Sequence, residues 1–159
     1  LPGRSYPIGA HVSEVVFDPD TGVVTVDRYT VVDDFGNLIN PMLAEGQVHG
    51  GVVQGIGQAI QEHVVYDEDG QLLTASFMDY AIPRAADVPF VSFNSEPVPS
   101  TANLMGMKGC GEAGTVGALA AVSNAVQDAL WERGVRQADM PFTPHKVWAL
   151  LNDSAIAAE

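Results

Sequence analysis

The chain has 159 residues, 47% of them hydrophobic and 8% aromatic, a composition that suits one globular domain with a substantial core. No apolar run approaches the roughly 18–20 residues of a membrane-spanning helix, so no membrane association is expected. Twenty Asp and Glu against seven Lys and Arg give a net charge of −13, and the cations are scattered, which argues against nucleic-acid binding; acidity of this kind mostly promotes solubility.

One cysteine, Cys110, excludes an intrachain disulfide and fits a reducing compartment, so a cytoplasmic location is expected. Leu1-Pro2-Gly3 is no initiator and no signal peptide follows, which suggests a piece of a longer protein.

In chain order, residues 8–17 and 23–32 alternate as strands do, around the turn-forming run Asp18-Pro19-Asp20-Thr21-Gly22, and predict a β-hairpin. A second turn, Asp33-Asp34-Phe35-Gly36-Asn37, ends it. Asn40 and Pro41 read as the N-cap and first position of a helix, with Val48, Val52, Ile56 and Ile60 as its apolar stripe. That helix also contains Gly46, Gly50, Gly51, Gly55 and Gly57. Each costs roughly 1 kcal/mol relative to Ala in a helix interior, so they imply close approach by another backbone or by a bulky cofactor. Residues 63–78 suggest a second hairpin around Asp67-Glu68-Asp69-Gly70. Pro83, Pro89, Pro97 and Pro99 predict extended chain with one strand at 90–95. A helix is expected over 117–133, burying Leu119, Val122, Val126 and Leu130, with Gly134 capping it. A last helix begins at Thr143-Pro144 and buries Val147, Leu150 and Leu151, leaving a frayed tail at 155–159. Together these elements predict an α+β fold: β-hairpins packed with about three helices.

The stretch most charged with chemistry is Gly106-Met107-Lys108-Gly109-Cys110-Gly111-Glu112-Ala113-Gly114-Thr115-Val116-Gly117. Glycines before a helix free backbone N–H groups to face an anionic ligand, although a plain tight turn has the same composition. It is not a Walker loop, because the Lys precedes the glycines. Glu112 reads either as a carboxylate that favours the helix N-terminus or as a general base beside a ligand, kept ionised by Lys108 if the two are close. Cys110 reads as packing filler rather than a reactive thiol. His11, His49, His63 and His145 lack metal-ligand spacing, so no protein-ligated metal is expected; His49 is either structural or part of the site's lining.

Three segments together resemble the molybdenum hydroxylases, the family of xanthine dehydrogenase, aldehyde oxidase and the aerobic carbon monoxide dehydrogenases. They are Lys108-Gly109-Cys110-Gly111-Glu112-Ala113-Gly114-Thr115-Val116-Gly117-Ala118; Asp33-Asp34-Phe35-Gly36-Asn37-Leu38-Ile39-Asn40-Pro41 leading into Glu45-Gly46-Gln47-Val48-His49-Gly50-Gly51-Val52-Val53-Gln54-Gly55-Ile56-Gly57; and Met78-Asp79-Tyr80-Ala81-Ile82-Pro83-Arg84-Ala85-Ala86-Asp87-Val88-Pro89. The resemblance covers roughly residues 10–152. It implies that residues 1–159 are one domain-sized, C-terminal segment of the larger molybdopterin-binding subunit. It also implies that Glu112 matches the base that takes a proton from the hydroxyl attacking an electron-poor carbon. Gln54 matches a glutamine that hydrogen-bonds the pterin, and Lys108, Gly109, Cys110 and Gly111 match a loop laid against the cofactor. The implied cofactor is a molybdopterin, in bacterial members commonly the cytosine dinucleotide form. The implied partners are the rest of the subunit, an iron–sulfur [2Fe-2S] subunit and a flavin (FAD) subunit, and the substrate is a small aldehyde, purine, N-heterocycle or CO-like molecule. Ala113-Gly114 replaces the Pro-Pro of classical xanthine dehydrogenases and looks more like the carbon monoxide dehydrogenase-like branch. The fragment alone is expected to be inactive. The alternative reading is a non-catalytic, stand-alone domain for subunit interaction or cofactor insertion.

Overall fold

The structure, a computed structural model, describes residues 4–152; the tail expected to fray lies outside them. A three-stranded sheet in the order β1-β2-β3 is covered on one face by helices. β1 (Ile8–Phe17) and β2 (Val24–Asp34) form the expected antiparallel hairpin. Its turn is tied by Gly22 N donating to Asp18 O at 2.7 Å and by Asp18 Oδ1 accepting from Asp20 N at 2.9 Å.

The pairing shifts register between Glu14 and Val15: Glu14 faces Arg28 and Val15 faces Val26, which leaves Asp27 as the extra residue. A strand's side chains alternate faces, so one extra residue reverses the phase. That reversal lets Val24 and Val26 before it, and Tyr29, Val31 and Asp33 after it, all face the helices and be buried.

α1 (Pro41–Ile60) starts as expected, with Asn40 Oδ1 accepting from Leu43 N at 3.2 Å, and Val48, Val52, Ile56 and Ile60 are all buried. The chain returns to the sheet as β3 (Val91–Ser95), which pairs parallel to β2. A parallel neighbour needs a crossover, and α1 with the 61–90 segment provides it. Within that segment the second expected hairpin is reduced to one bridge, Tyr66 to Leu72, around a turn in which Asp67 Oδ1 accepts from Gln71 N at 2.8 Å.

α2 (Ala113–Trp131) begins four residues earlier than the sequence suggested, so Gly114 and Gly117 lie inside it. Ala118 takes the fully buried position, while Leu119 is only half-buried. Past its end, Gly134 N donates to Trp131 O at 3.1 Å and Val135 N to Leu130 O at 3.3 Å, with Gly134 at φ 91°. This is the Schellman pattern, and it fits the expected role of Gly134 as cap. α3 (Pro144–Asn152) buries Val147, Ala149 and Leu150, with Leu151 only partly covered. Among the described residues no helix is long and apolar enough to cross a membrane.

Candidate functional site

The end of β2 forms a latch for the glycine-rich loop. Asp34 Oδ1 accepts from Gly36 N at 2.8 Å and Val98 N at 2.9 Å, and Oδ2 pairs with the Lys108 ammonium. Lys108 N donates to Phe35 O at 2.8 Å, Asn37 N to Gly106 O at 3.0 Å, and Asn37 Nδ2 to Met105 O at 2.9 Å. Gly36 at φ 61° must be glycine: a Cβ there would stand 2.1 Å from Gly106 O. The Lys108 hydrogen bond, helped by the Val98 and Gly36 N–H groups, holds the Asp34 carboxyl at about 2, below its usual 3.8. The charge of Lys108 is therefore taken up by Asp34. Among the described residues Glu112 forms no ion pair, so the condition on which Lys108 would keep it ionised is not met.

Beyond Lys108 the loop alternates: Gly109 and Gly111 are exposed, while Cys110 is half-buried against the core, as expected of packing filler. Gln47 on α1 donates from Nε2 to Gly111 O at 2.9 Å. Thr115 Oγ1 lies 3.0 Å from Gly51 O and 3.2 Å from Gln54 Oε1, so its single proton serves one of them at a time. Glu112 occupies the N-cap position of α2, yet its carboxylate makes no capping hydrogen bond; only its carbonyl engages, accepting from Val116 N at 3.0 Å. A carboxylate that sits at a cap position and does not cap is available for other work.

Among the glycines of α1, the loop and the start of α2, some meet the facing helix and some face open space; Gly57 instead meets Glu62 and Pro83 side chains. A Cβ on Gly51 would lie 2.9 Å from Thr115 N, and one on Gly55 would lie 2.5 Å from Ala118 Cβ. A Cβ on Gly114 would lie 2.5 Å from Val48 O. Here the α1 and α2 backbones come close, with only the Ala118 methyl group between them at Gly55. Gly46, Gly50, Gly109 and Gly111 have nothing within 4 Å of a Cβ position. These four leave room for something larger.

A cavity of about 580 Å³ lies between residues 5–9 and the start of α2. Glu112, Gly109, Gly111 and Val116 line one side, Tyr6 and Ile8 the other. His11 and Asp33 complete it from the sheet. The expected residues Glu112, Gly109 and Gly111 thus share one cavity. Gln54 stands at the α1–α2 seam beside Thr115, and Lys108 is directed to Asp34. His49 lies edge-on to Phe90 at 6.0 Å, outside the cavity wall. His11, Asp33 and Gln47 were not singled out by sequence. His11 falls within the expected first strand, whereas Asp33 was read as part of a turn and faces inward only because the register shift at Asp27 resets the phase of β2.

The α+β layer thus presents a glycine-rich loop, a Glu that does not cap its helix and an adjoining cavity. Residues 1–89 match the family model for the molybdopterin cofactor-binding domain. The large subunit of nicotine 6-hydroxylase from Paenarthrobacter nicotinovorans is 45% identical over 87% of the chain and 17% of its own length. The large chain of carbon monoxide dehydrogenase from Afipia carboxidovorans is 39% identical over 92% and 18%. The solved structure of quinoline 2-oxidoreductase from Pseudomonas putida 86 superposes with TM-score 0.87 at 40% identity, covering 90% of this chain and 18% of that one. The chain belongs to the molybdenum hydroxylase family and corresponds to a segment of its molybdopterin-binding subunit. It spans under a fifth of the length of these relatives.

The residues present fit such a group. None of the N–H groups of Gly109, Cys110 and Gly111 donates a hydrogen bond among the described residues, and the open glycine faces leave room beside them. Exposed backbone donors next to empty Cβ positions suit the oxygens of a bulky anionic cofactor.

Proposed function

We propose that this chain is the segment of a molybdenum hydroxylase that supplies the catalytic base, Glu112, for oxidative hydroxylation of a small aldehyde, purine, N-heterocycle or CO-like substrate. The observation that carries the reading is the state of Glu112: exposed on a cavity wall, at a helix N-cap, with neither a capping bond nor, among the described residues, an ion pair. Such a carboxylate can accept a proton at Oε from the attacking oxygen as the new C–O bond forms. When bound, the molybdenum cofactor supplies the two-electron oxidation and the water-derived oxygen.

The N–H groups of Gly109, Cys110 and Gly111 would hold the cofactor's oxygens, Gln54 would reach it from α1, and Lys108 fixes the loop through Asp34. The cytosine dinucleotide form is the cofactor in this reading. A substrate C–H and water become C–OH, two protons and two electrons; for CO, the molecule and water become CO2 with the same protons and electrons. The electrons leave through a [2Fe-2S] subunit and an FAD subunit, and the rest of the cofactor-binding subunit completes the site. Residues 1–159 act as one segment of that subunit, in the cytoplasm. The single, half-buried cysteine without a disulfide partner agrees with a reducing compartment.

The test is dye-linked oxidation of an aldehyde, purine and N-heterocycle panel by the assembled enzyme, wild type against Glu112→Gln at equal molybdenum content. A fall in kcat of about a hundredfold or more is expected for loss of a general base. Unchanged turnover would remove Glu112 from the mechanism and favour a scaffolding role for the chain.

A further inference from the structure

The sheet holds Glu112 from both sides in sequence, and both holds start at the end of β2. Asp34 pairs with Lys108, four residues before Glu112. Its neighbour Asp33 reaches His11, and the His11 ring meets α2 at Gly117, five residues after Glu112. A Cβ on Gly117 would stand 2.5 Å from each of Cδ2, Cε1 and Nε2 of that ring. Such equal distances put Gly117 over the face of the imidazole. Gly9 makes matching room for the carboxylate, since a Cβ there would fall 1.8 Å from Asp33 Oδ1. The ring has little freedom to give way. Nε2 stands 3.4 Å from Asp33 Oδ1, and Nδ1 is hydrogen-bonded to the Tyr29 hydroxyl at 2.7 Å. The His11 and Asp33 side chains are 6% and 2% exposed, and Tyr29 is 1% exposed. The imidazolium and the neutral tautomer with its proton on Nε2 each serve both contacts, so the grip does not depend on which is present.

Resting on the reading of Glu112 as the base, we propose that His11 is a positioning residue for the reaction. Its gripped ring sets how far α2 stands from the sheet, and so where the Glu112 carboxylate sits in the cavity. An apolar ring of the same size would fill the space but could turn in it, whereas contacts at two nitrogens fix its plane. Gly117 lies about 7.5 Å along the helix from Glu112. The turn between them is closed by Val116 N donating to Glu112 O at 3.0 Å. A shift at the ring is therefore carried to the N-cap rather than absorbed on the way. A base displaced by about 1 Å loses much of its effect, because proton transfer needs hydrogen-bond reach.

The test is a double-mutant cycle on the assembled enzyme, with kcat referred to bound molybdenum. Gly117→Ala pushes a methyl group into the ring, and His11→Ala withdraws the ring. Each is expected to lower kcat by about tenfold, with KM changed by less than about twofold. In His11→Ala/Gly117→Ala the methyl group enters the vacated space, and most of the loss should be recovered. Amide hydrogen exchange over residues 109–117 gives a readout without turnover: it should rise in each single variant and fall back in the double. Single variants that keep full kcat per molybdenum overturn the proposal even where the denaturation midpoint drops, because His11 is then structural only. Losses that multiply in the double variant overturn it too, since ring and glycine then do not act through each other. Should His11→Ala fail to assemble, Tyr29→Phe decides, because it frees one ring nitrogen and removes only a hydroxyl. A several-fold lower kcat at unchanged molybdenum content supports the proposal, and an unchanged kcat overturns it. Glu112→Gln, measured in parallel, separates the two readings. If it loses turnover while the single variants keep theirs, the positioning role fails alone; if it keeps turnover, Glu112 is not the base and both fall.

Discussion

Asp34 accepts from two backbone N–H groups and from Lys108, and through Lys108 it anchors the loop that ends in Glu112. Its carboxyl is lowered in the folded protein from 3.8 to about 2. A folded pKa below the unfolded one means that the contribution of Asp34 to stability is fully present above about pH 4. That contribution is lost as pH falls through about 2. Asp34→Asn keeps an acceptor for the backbone N–H groups but removes the ion pair. The denaturation midpoint of the variant should therefore fall below wild type near neutrality, and the gap should close between about pH 4 and pH 2. A gap that stays constant with pH would assign the effect to geometry rather than to charge. The loop was legible in the sequence because its glycines and Glu112 sit in one short run. The residue that fixes it was not, because Asp34 lies 74 positions from Lys108 and reads locally as a turn former.

At the scale of elements, the glycines carry the main correction. Their number in α1 signalled close approach, but which of them meet backbone depends on where α2 crosses, and no local pattern encodes that. The early start of α2 has the same origin. Gly114 and Gly117 look like loop residues in sequence, yet within the helix they are the positions that let Val48 O and the His11 ring come near, a Cβ on either falling 2.5 Å away. Gly114→Ala should therefore destabilise the protein by about 1–3 kcal/mol, since backbone rather than a flexible side chain must move. Gly50→Ala, with nothing within 4 Å, should stabilise it by about 0.5–1 kcal/mol through helix propensity. Urea denaturation of the two variants gives opposite signs if the seam is read correctly. A loss of equal size in both would mean that helix propensity and the seam do not set their stabilities. The β2 phase reversal at Asp27 was hidden for a related reason: a bulge is a property of pairing, and one strand's alternation does not reveal it.

For the whole molecule, the helices cover one face of the sheet and leave Val12, Thr30 and Ser92 exposed on the other. Phe77 and Phe90 are each 83% exposed, Met78 is 92% exposed, and Leu104 has no cover at all. Single apolar side chains on a surface are ordinary, but four large ones this open, in a chain that also leaves a sheet face uncovered, are not. The relatives are more than five times as long as the chain matched here, so in such an assembly there is protein to cover these surfaces. A net charge of −13 opposes association of the chain by itself, and that opposition weakens as salt screens it. The 159-residue chain expressed alone is therefore expected to bind a hydrophobic fluorescent dye. It should sediment as a monomer at about 0.05 M salt and self-associate at about 1 M, where the screening length shrinks to about 3 Å. Association through ion pairs would instead loosen as salt rises, so the direction of the response distinguishes apolar contact from charge pairing. A chain that binds no dye and stays monomeric throughout would mean that Phe77, Met78, Phe90 and Leu104 are plain surface, and that the partner side of this segment lies elsewhere.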